Sequence, residues 1–315
     1  MLRIVFIGSA SLASPSLDML CSRPEFTVVG VVTQPDRPAG RRMELTPCPL
    51  KETALQHHLP VFQPAKIRSP DAIAQIAYLK PDAIVVAAYG QILPKSILDL
   101  PPLGTFNVHA SLLPAYRGAA PIQWALLDGK SVSGVTIMKV DEGLDTGDIL
   151  LQEKVHIRRS ENAQTLHDRL AASGAKLLVE ALLKAQAGKL VPVAQPADST
   201  TDYARKLTRE DTHLDWTRPP LELWFKIRAF APRPGAYAMM VSGMDRKSLK
   251  VFEVIISRRA TGKPGEILRL DKHGILVAAS KGGLLLREVQ IEGKKRMPAA
   301  ELINGNLLKV GDILQ

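Results

Sequence analysis

Cysteine is almost missing: Cys21 and Cys48 are the only two in 315 residues. Two thiols make no disulfide framework, and neither has a Cys or His partner at metal-ligand spacing. A disulfide-stapled or zinc-held scaffold is thereby excluded, and a reducing, cytoplasmic setting fits. His57 and His58 are adjacent, so on a helix they leave in different directions and suit the surface better than a metal. No apolar run is long enough to span a membrane. The opening Leu2-Arg3-Ile4-Val5-Phe6-Ile7 reads as a buried first strand closed by Gly8 rather than as a signal peptide. The turn beyond it, Gly8-Ser9-Ala10-Ser11-Leu12-Ala13, is not Gly-x-Gly-x-x-Gly, so a dinucleotide oxidoreductase is poorly supported. Internal repeats and low-complexity tracts are absent as well.

What is present is an ordinary globular composition, 46% hydrophobic and 23% charged, with an unusual net charge of +10. Residues 1–205 hold 21 Lys and Arg against 19 Asp and Glu, a balance of +2. Residues 206–315 hold 20 against 12, a balance of +8. A small basic C-terminal unit suggests a polyanionic partner, nucleic acid first, with a merely solvated basic face as the bland reading.

The first two-thirds alternates strand and helix signals: apolar runs at Ile4–Ile7, Val28–Thr33, Ile84–Ala88 and Phe106–His109, with helical stretches such as Asp71–Leu79 and Leu166–Ala187. This predicts a Rossmann-like α/β domain over 1–189, a largely parallel sheet with helices on both faces. Residues 190–206, rich in Pro and small polar residues, read as a semi-rigid linker. From 207 to 315, one helix at Pro220–Phe230 precedes four or five short strands at close spacing, an OB-like β-barrel.

Within that frame Asn107 and His109 stand two apart on a strand, so both side chains leave one face. They would lie at the carboxyl end of a strand, where open α/β sheets bind ligands. Asp145, on the turn Gly143-Leu144-Asp145-Thr146-Gly147-Asp148, could reach the same point. An amide and an imidazolium can hold an oxyanion, and a carboxylate can keep the ring charged and move protons, which suits acyl transfer without a metal. The segment after the strongest buried strand, with Tyr89, Gln91, Ile92 and Leu93, offers backbone groups and apolar surface to a flat heterocycle. Ser111, Leu112, Leu113 and Pro114 extend the His109 strand end as a pocket wall. The long loop 34–50 carries Arg37, Arg41 and Arg42 around a flexible Gly40 and could grip phosphates. In the basic unit, Lys206, Arg209, Lys247, Lys250, Arg258 and Arg259 are candidate phosphate contacts.

At these residues the chain resembles the folate-dependent formyltransferase family. His109-Ala110-Ser111-Leu112-Leu113-Pro114 matches the family's His-x-Ser-Leu-Leu-Pro, which contacts the folate. Tyr116-Arg117-Gly118-Ala119-Ala120-Pro121-Ile122 and the stretch from Gly134 to Asp148 are similar too. The resemblance implies that Asn107, His109 and Asp145 move a formyl group from 10-formyltetrahydrofolate, a co-substrate, to an amine. Within the family, the likeness is strongest to the members that formylate methionyl initiator tRNA, and it covers essentially the whole chain. Thr33 to Arg41 is similar to a loop that enters the tRNA acceptor arm. A cytoplasmic monomer that meets no membrane is expected. One departure stands out: the family usually has Gly-Thr-Pro-x-Phe-Ala where this chain has Gly8-Ser9-Ala10-Ser11-Leu12-Ala13. Two other classes stay open: a formyltransferase for a small amine, such as an amino-sugar nucleotide or purine precursor, and a non-catalytic RNA-binding protein.

Overall fold

A run of apolar residues buried one after another must be covered on both sides, and the first strand shows this. The structure, a computed structural model, describes residues 1–39, 43–242, 245–305 and 307–315. In chain order the first part holds β1 (Leu2–Gly8), α1 (Ser14–Cys21), β2 (Phe26–Val32), β3 (Arg37–Ala39), β4 (Glu44–Thr46), α2 (Pro49–Gln56) and β5 (Val61–Phe62). Then come α3 (Pro70–Tyr78), β6 (Ala83–Ala87), α4 (Lys95–Leu98), β7 (Thr105–His109), α5 (Pro121–Leu127), β8 (Val132–Lys139), β9 (Ile149–His156) and α6 (Ala163–Gln186). Ile4, Val5, Phe6 and Ile7 of β1 are all 0% exposed. Val5 and Ile7 share a cluster with Ile76 of α3 and Ile97 of α4, while Ile4 and Phe6 point the other way.

The sheet order is β5-β2-β1-β6-β7-β8-β9. The strands from β5 to β7 pair in parallel, and β8 and β9 add an antiparallel edge. The largely parallel, Rossmann-like sheet expected from the sequence is found, with an antiparallel edge added to it. Parallel pairing needs a long crossover, whereas β8 and β9 are joined by the loop 140–148 alone. The described residues between 34 and 50 hold more order than their composition suggests. Arg37 pairs with Thr46 and Ala39 with Glu44 along β3 and β4, and Pro49 starts α2 as the fixed first residue of a helix.

The chain divides into two compact units. Residues 1–121, 132–157 and 167–205 form one, and residues 122–131, 158–166 and 206–315 the other. The second holds α7 (Pro220–Phe230) and an antiparallel sheet of β10 (Ala236–Ser242), β11 (Asp245–Ser257), β12 (Ile267–Asp271), β13 (Gly274–Ala278), β14 (Gly283–Ile291) and β15 (Met297–Pro298). The order is β10-β11-β14-β13-β12, with β15 on β14, the antiparallel β unit expected there. Strand β10 was not anticipated: Ala-Tyr-Ala-Met-Met carries little β-branched character, and its pairing with β11 overrides that.

Gly8 ends β1 where the chain turns toward the ligand side of the sheet. A Cβ there would come within 2.5 Å of the Ala87 carbonyl oxygen and 2.9 Å of Leu50. Backbone cannot yield as a side-chain tip can. Gly8→Ala is therefore expected to cost about 1–3 kcal/mol in urea unfolding; a variant as stable as the wild type would mean the turn has room to spare.

Candidate active site

Three strand ends lie side by side. Gly8 is level with Ala87 on β6, and Val86 with Asn107 on β7. The turns leaving these ends, with the loop between β8 and β9, enclose a cavity of about 720 Å³, the size of a small-molecule site. Ser9, Ala10 and Leu12 line it after β1, and Tyr89 to Leu93 after β6. Asn107 to Ala110 line it at the end of β7, and Asp141, Gly143, Leu144 and Asp145 close another side.

Alternation along β7 sends Val108 to one face and Asn107 and His109 to the other. Val108 meets α6 at Gly174, where a Cβ would stand 2.8 Å from it. Asn107 and His109 thus face away from that helix, into the cavity. The structure brings all three expected polar groups together. The Asn107 amide donates to Asp145 Oδ1 at 3.4 Å, the Gly118 N–H donates to Oδ2 at 2.9 Å, and His109 Nδ1 lies 3.7 Å from Oδ2. His109 is 6% exposed.

The other ring nitrogen settles where the proton sits. His109 Nε2 lies 3.0 Å from the Tyr116 carbonyl oxygen. A carbonyl only accepts, so Nε2 carries a hydrogen in either charge state. Nδ1 is then the nitrogen that gains or loses a proton, and it faces the carboxylate from beyond hydrogen-bonding distance. A charged ring keeps its Nδ1–H for a ligand.

The turn after β6 contributes unevenly. Leu93 is buried, while Ile92 is 71% exposed at the rim. Tyr89 is buried, and burial pushes its phenol up to about 12, so it stays neutral. Its carbonyl accepts from Gln34 Nε2 at 2.6 Å. The Gln91 side chain turns aside, accepting from the Ile67 N–H and donating to the Ala65 carbonyl. Ser111, Leu112, Leu113 and Pro114, expected as a wall, are not among the residues that line the cavity. Ser111 is fully buried and donates to the Ala115 carbonyl at 2.6 Å, and the Leu113 N–H donates to Thr136 Oγ1. Three residues lie between Ser111 and Ala115, and closing that tight turn consumes the hydroxyl.

Several further contributors were not among the expected site residues. Gly118 has φ +119, and a Cβ there would meet the Ala204 carbonyl and the Tyr203 ring at 2.7–2.8 Å. Tyr203 lines the cavity; burial first, then the charge of Asp145, raises its phenol pKa. Gln195, in the segment expected to be a linker, donates to the carbonyls of Asp145 and Gly147 at 3.0 and 2.7 Å.

The expected phosphate contacts are less gathered. Arg37 is exposed on β3 and donates to Gln34 Oε1 at 2.6 Å; Arg41 and Arg42 lie outside the described residues. Lys206, Arg258 and Arg259 are exposed. The Arg209 guanidinium lies 5.6 Å from the Tyr237 ring centre. Lys247 and Lys250 are three apart on a regularly paired stretch of β11, so they leave opposite faces, and Lys250 donates to the Pro234 carbonyl at 2.8 Å. No group of His, Cys, Asp and Glu among the described residues is arranged to hold a metal.

Comparison with known proteins gives a consistent result. Residues 2–182 match the formyl transferase family model and residues 206–307 its C-terminal domain model. The chain is 49% identical over 315 residues to the methionyl-tRNA formyltransferase of Methylacidiphilum infernorum (isolate V4), covering 100% of this chain and 98% of that protein. It is 48% identical over 310 residues to the enzyme of the same name from Geobacter sulfurreducens, covering 98% and 96%. Among solved structures, HypX from Aquifex aeolicus in complex with tetrahydrofolic acid shares the fold, with a TM-score of 0.64 and 19% identity. That match covers all of this chain and 50% of that one.

If Ser111 is scaffold, losing its hydroxyl leaves a buried carbonyl short of a donor. Ser111→Ala should lower the unfolding free energy by about 1–3 kcal/mol in denaturant melts. An unchanged melt would return Ser111 to the cavity wall.

Proposed function

The chain belongs to the formyl transferase family, and on that premise we propose that it transfers a formyl group from 10-formyltetrahydrofolate to the α-amino group of methionine carried on initiator tRNA. The observation that carries this reading is the meeting of Asn107, His109 and Asp145 at one cavity mouth, in a chain nearly half identical over its full length to enzymes named for that reaction. The cavity suits a folate. Its volume is adequate, Ile92, Leu93 and Leu144 give apolar surface for flat rings, and the turn at Tyr89 and Gly90 offers peptide groups to their edges. Bound there, the co-substrate supplies an activated formyl group.

The protein's part is electrostatic. As the amine attacks the formyl carbon, negative charge grows on the formyl oxygen. Asn107 Nδ2 and the Nδ1–H of a protonated His109 receive it, already aimed and with little reorganisation to undergo. The Asp145 carboxylate, held by Gly118 and Asn107, faces the ring and takes the amine proton on its way to the leaving nitrogen. The Tyr116 carbonyl keeps the ring from turning.

The RNA part of the reading rests on the +8 balance of residues 206–315. Lys206, Arg209, Lys247, Lys250, Arg258 and Arg259 bind phosphates, and Arg37 with its loop neighbours Arg41 and Arg42 engages the acceptor end. The enzyme acts as a monomer in the cytoplasm. No helix among the described residues is long and apolar enough to cross a membrane.

Asn107→Ala, His109→Ala and Asp145→Ala should each lower kcat about 100- to 1000-fold in a methionyl-tRNA formylation assay, with folding intact by circular dichroism. Near-wild-type turnover in any one would falsify that residue's role. A wild-type enzyme that formylates small amines but not charged tRNA would replace the substrate instead.

Binding to tRNA should weaken steeply between 50 and 200 mM salt, on the order of 10³-fold if about six phosphates are contacted. A flat titration would remove the basic residues from the interface.

A further inference from the structure

We infer that Gln195 is a positioning residue for formyl transfer, the centre of a strap formed by residues 193–204 that holds the partners of the reacting groups in place. The inference rests on the formyl-transfer reading above.

Every hydrogen-bonding slot of the Gln195 side chain is used. Nε2 donates to the Asp145 carbonyl at 3.0 Å and the Gly147 carbonyl at 2.7 Å. Oε1 accepts from Arg117 Nε at 3.1 Å and Nη2 at 3.0 Å. A flipped amide would set oxygen against carbonyls and NH₂ against a guanidinium, so only this orientation works. Arg117 is tied in turn to the strap's own backbone, through the carbonyls of Pro196 and Ala197.

Asp145 needs such a support. Its φ is +57, in the left-handed region that costs a non-glycine residue about 1–2 kcal/mol. Such a conformation persists only where its surroundings over-determine it. The two bonds fall just after the strained residue, on its own carbonyl and on that of Gly147, and hold the turn from which its carboxylate projects.

The strap also reaches His109. The carbonyl that accepts from His109 Nε2 belongs to Tyr116, whose N–H donates to Thr201 Oγ1 at 2.7 Å. Ser199 Oγ donates to the Pro114 carbonyl at 2.6 Å. Ala204 bonds both sides of Gly118, accepting from the Ala120 N–H and donating to the Arg117 carbonyl. Gly118 is the donor to Asp145. The imidazole at the end of β7 and the acid on the loop after β8 are thus both held, through their hydrogen-bond partners, by one segment.

The test is Gln195→Met, which keeps length and volume but loses the hydrogen bonds, beside Gln195→Glu, which keeps an acceptor for Arg117 but opposes the two carbonyls with charge. With methionyl-tRNA and 10-formyltetrahydrofolate, kcat should fall about 10- to 100-fold in both, with KM for the folate within about twofold, because displacement near 1 Å is costly to reaction but not to binding. Independently of turnover, the ¹⁵N chemical shifts of the His109 ring at one fixed pH should move in Gln195→Met, since the groups around the ring are displaced. A kcat within threefold of wild type in a folded Gln195→Met, or a loss entirely in KM, overturns the proposal, as do unmoved ring shifts. A wild type inactive on methionyl-tRNA removes the substrate reading instead, and the ring shifts still judge the strap. If Gln195→Met fails to fold, Gln195→Glu and Arg117→Lys carry the same readouts.

Discussion

The hydrogen bond from His109 Nε2 to the Tyr116 carbonyl is the constraint on which the site depends. An imidazole has two nitrogens, and a pocket that left both unassigned would spread its proton over two positions. Because a carbonyl cannot donate, the ring is fixed with hydrogen on Nε2. Nδ1 becomes the variable position and faces Asp145 at 3.7 Å. That gap is useful. A tight bond to Asp145 would consume an Nδ1–H, whereas a carboxylate at this distance leaves such a hydrogen for an incoming oxygen. The same carboxylate is satisfied elsewhere, by Gly118 and Asn107, and need not close on the ring.

Two registers make this geometry possible. Gly8, Ala87 and the middle of β7 lie level, so three turns open on one side of the sheet. Period-two alternation then sorts β7, with Val108 packed on α6 and its two neighbours in the cavity. A one-residue slip of β7 would bury the amide and the imidazole beneath a helix and expose a valine. Register here is set by packing against Gly174, and the chemistry inherits it.

Much of this was legible in the order of residues, for a physical reason. Strands buried on both faces read as continuous apolar runs, and the alternation that puts Asn107 and His109 together is local. Ser111 to Pro114 read as a wall because a strand end looks the same whether its turn lines a cavity or supports one from behind; the bond from Ser111 to the Ala115 carbonyl, which shows where that hydroxyl is spent, has no signature in the sequence. Gln195 could not be read at all. It lies 50 residues from Asp145 and 78 from Arg117 in the chain, inside a Pro-rich stretch whose composition suggests a connection between domains. Long-range polar contacts leave no periodicity, and a strap and a linker can share one composition. The antiparallel edge of the first sheet escaped for a related reason, since apolar runs announce burial but not direction.

Charge distribution carries the choice of substrate, because the cavity alone does not. On the proposed reading, an amide, an imidazole and a carboxylate serve the formyl group and the attacking nitrogen alone, and discrimination comes from what delivers the amine. A first part at +2 offers a polyanion little, whereas residues 206–315 at +8 attract one over a distance set by the ionic strength. Yet Lys247 and Lys250 leave opposite faces of β11, so these cations do not form a single stripe. Scattered charge of this kind recruits RNA without reading its sequence. On the proposed reading, the choice among tRNAs falls to what the acceptor end meets near the cavity, where exposed Arg37 donates to half-buried Gln34 and Gln34 in turn holds the Tyr89 carbonyl on the cavity wall.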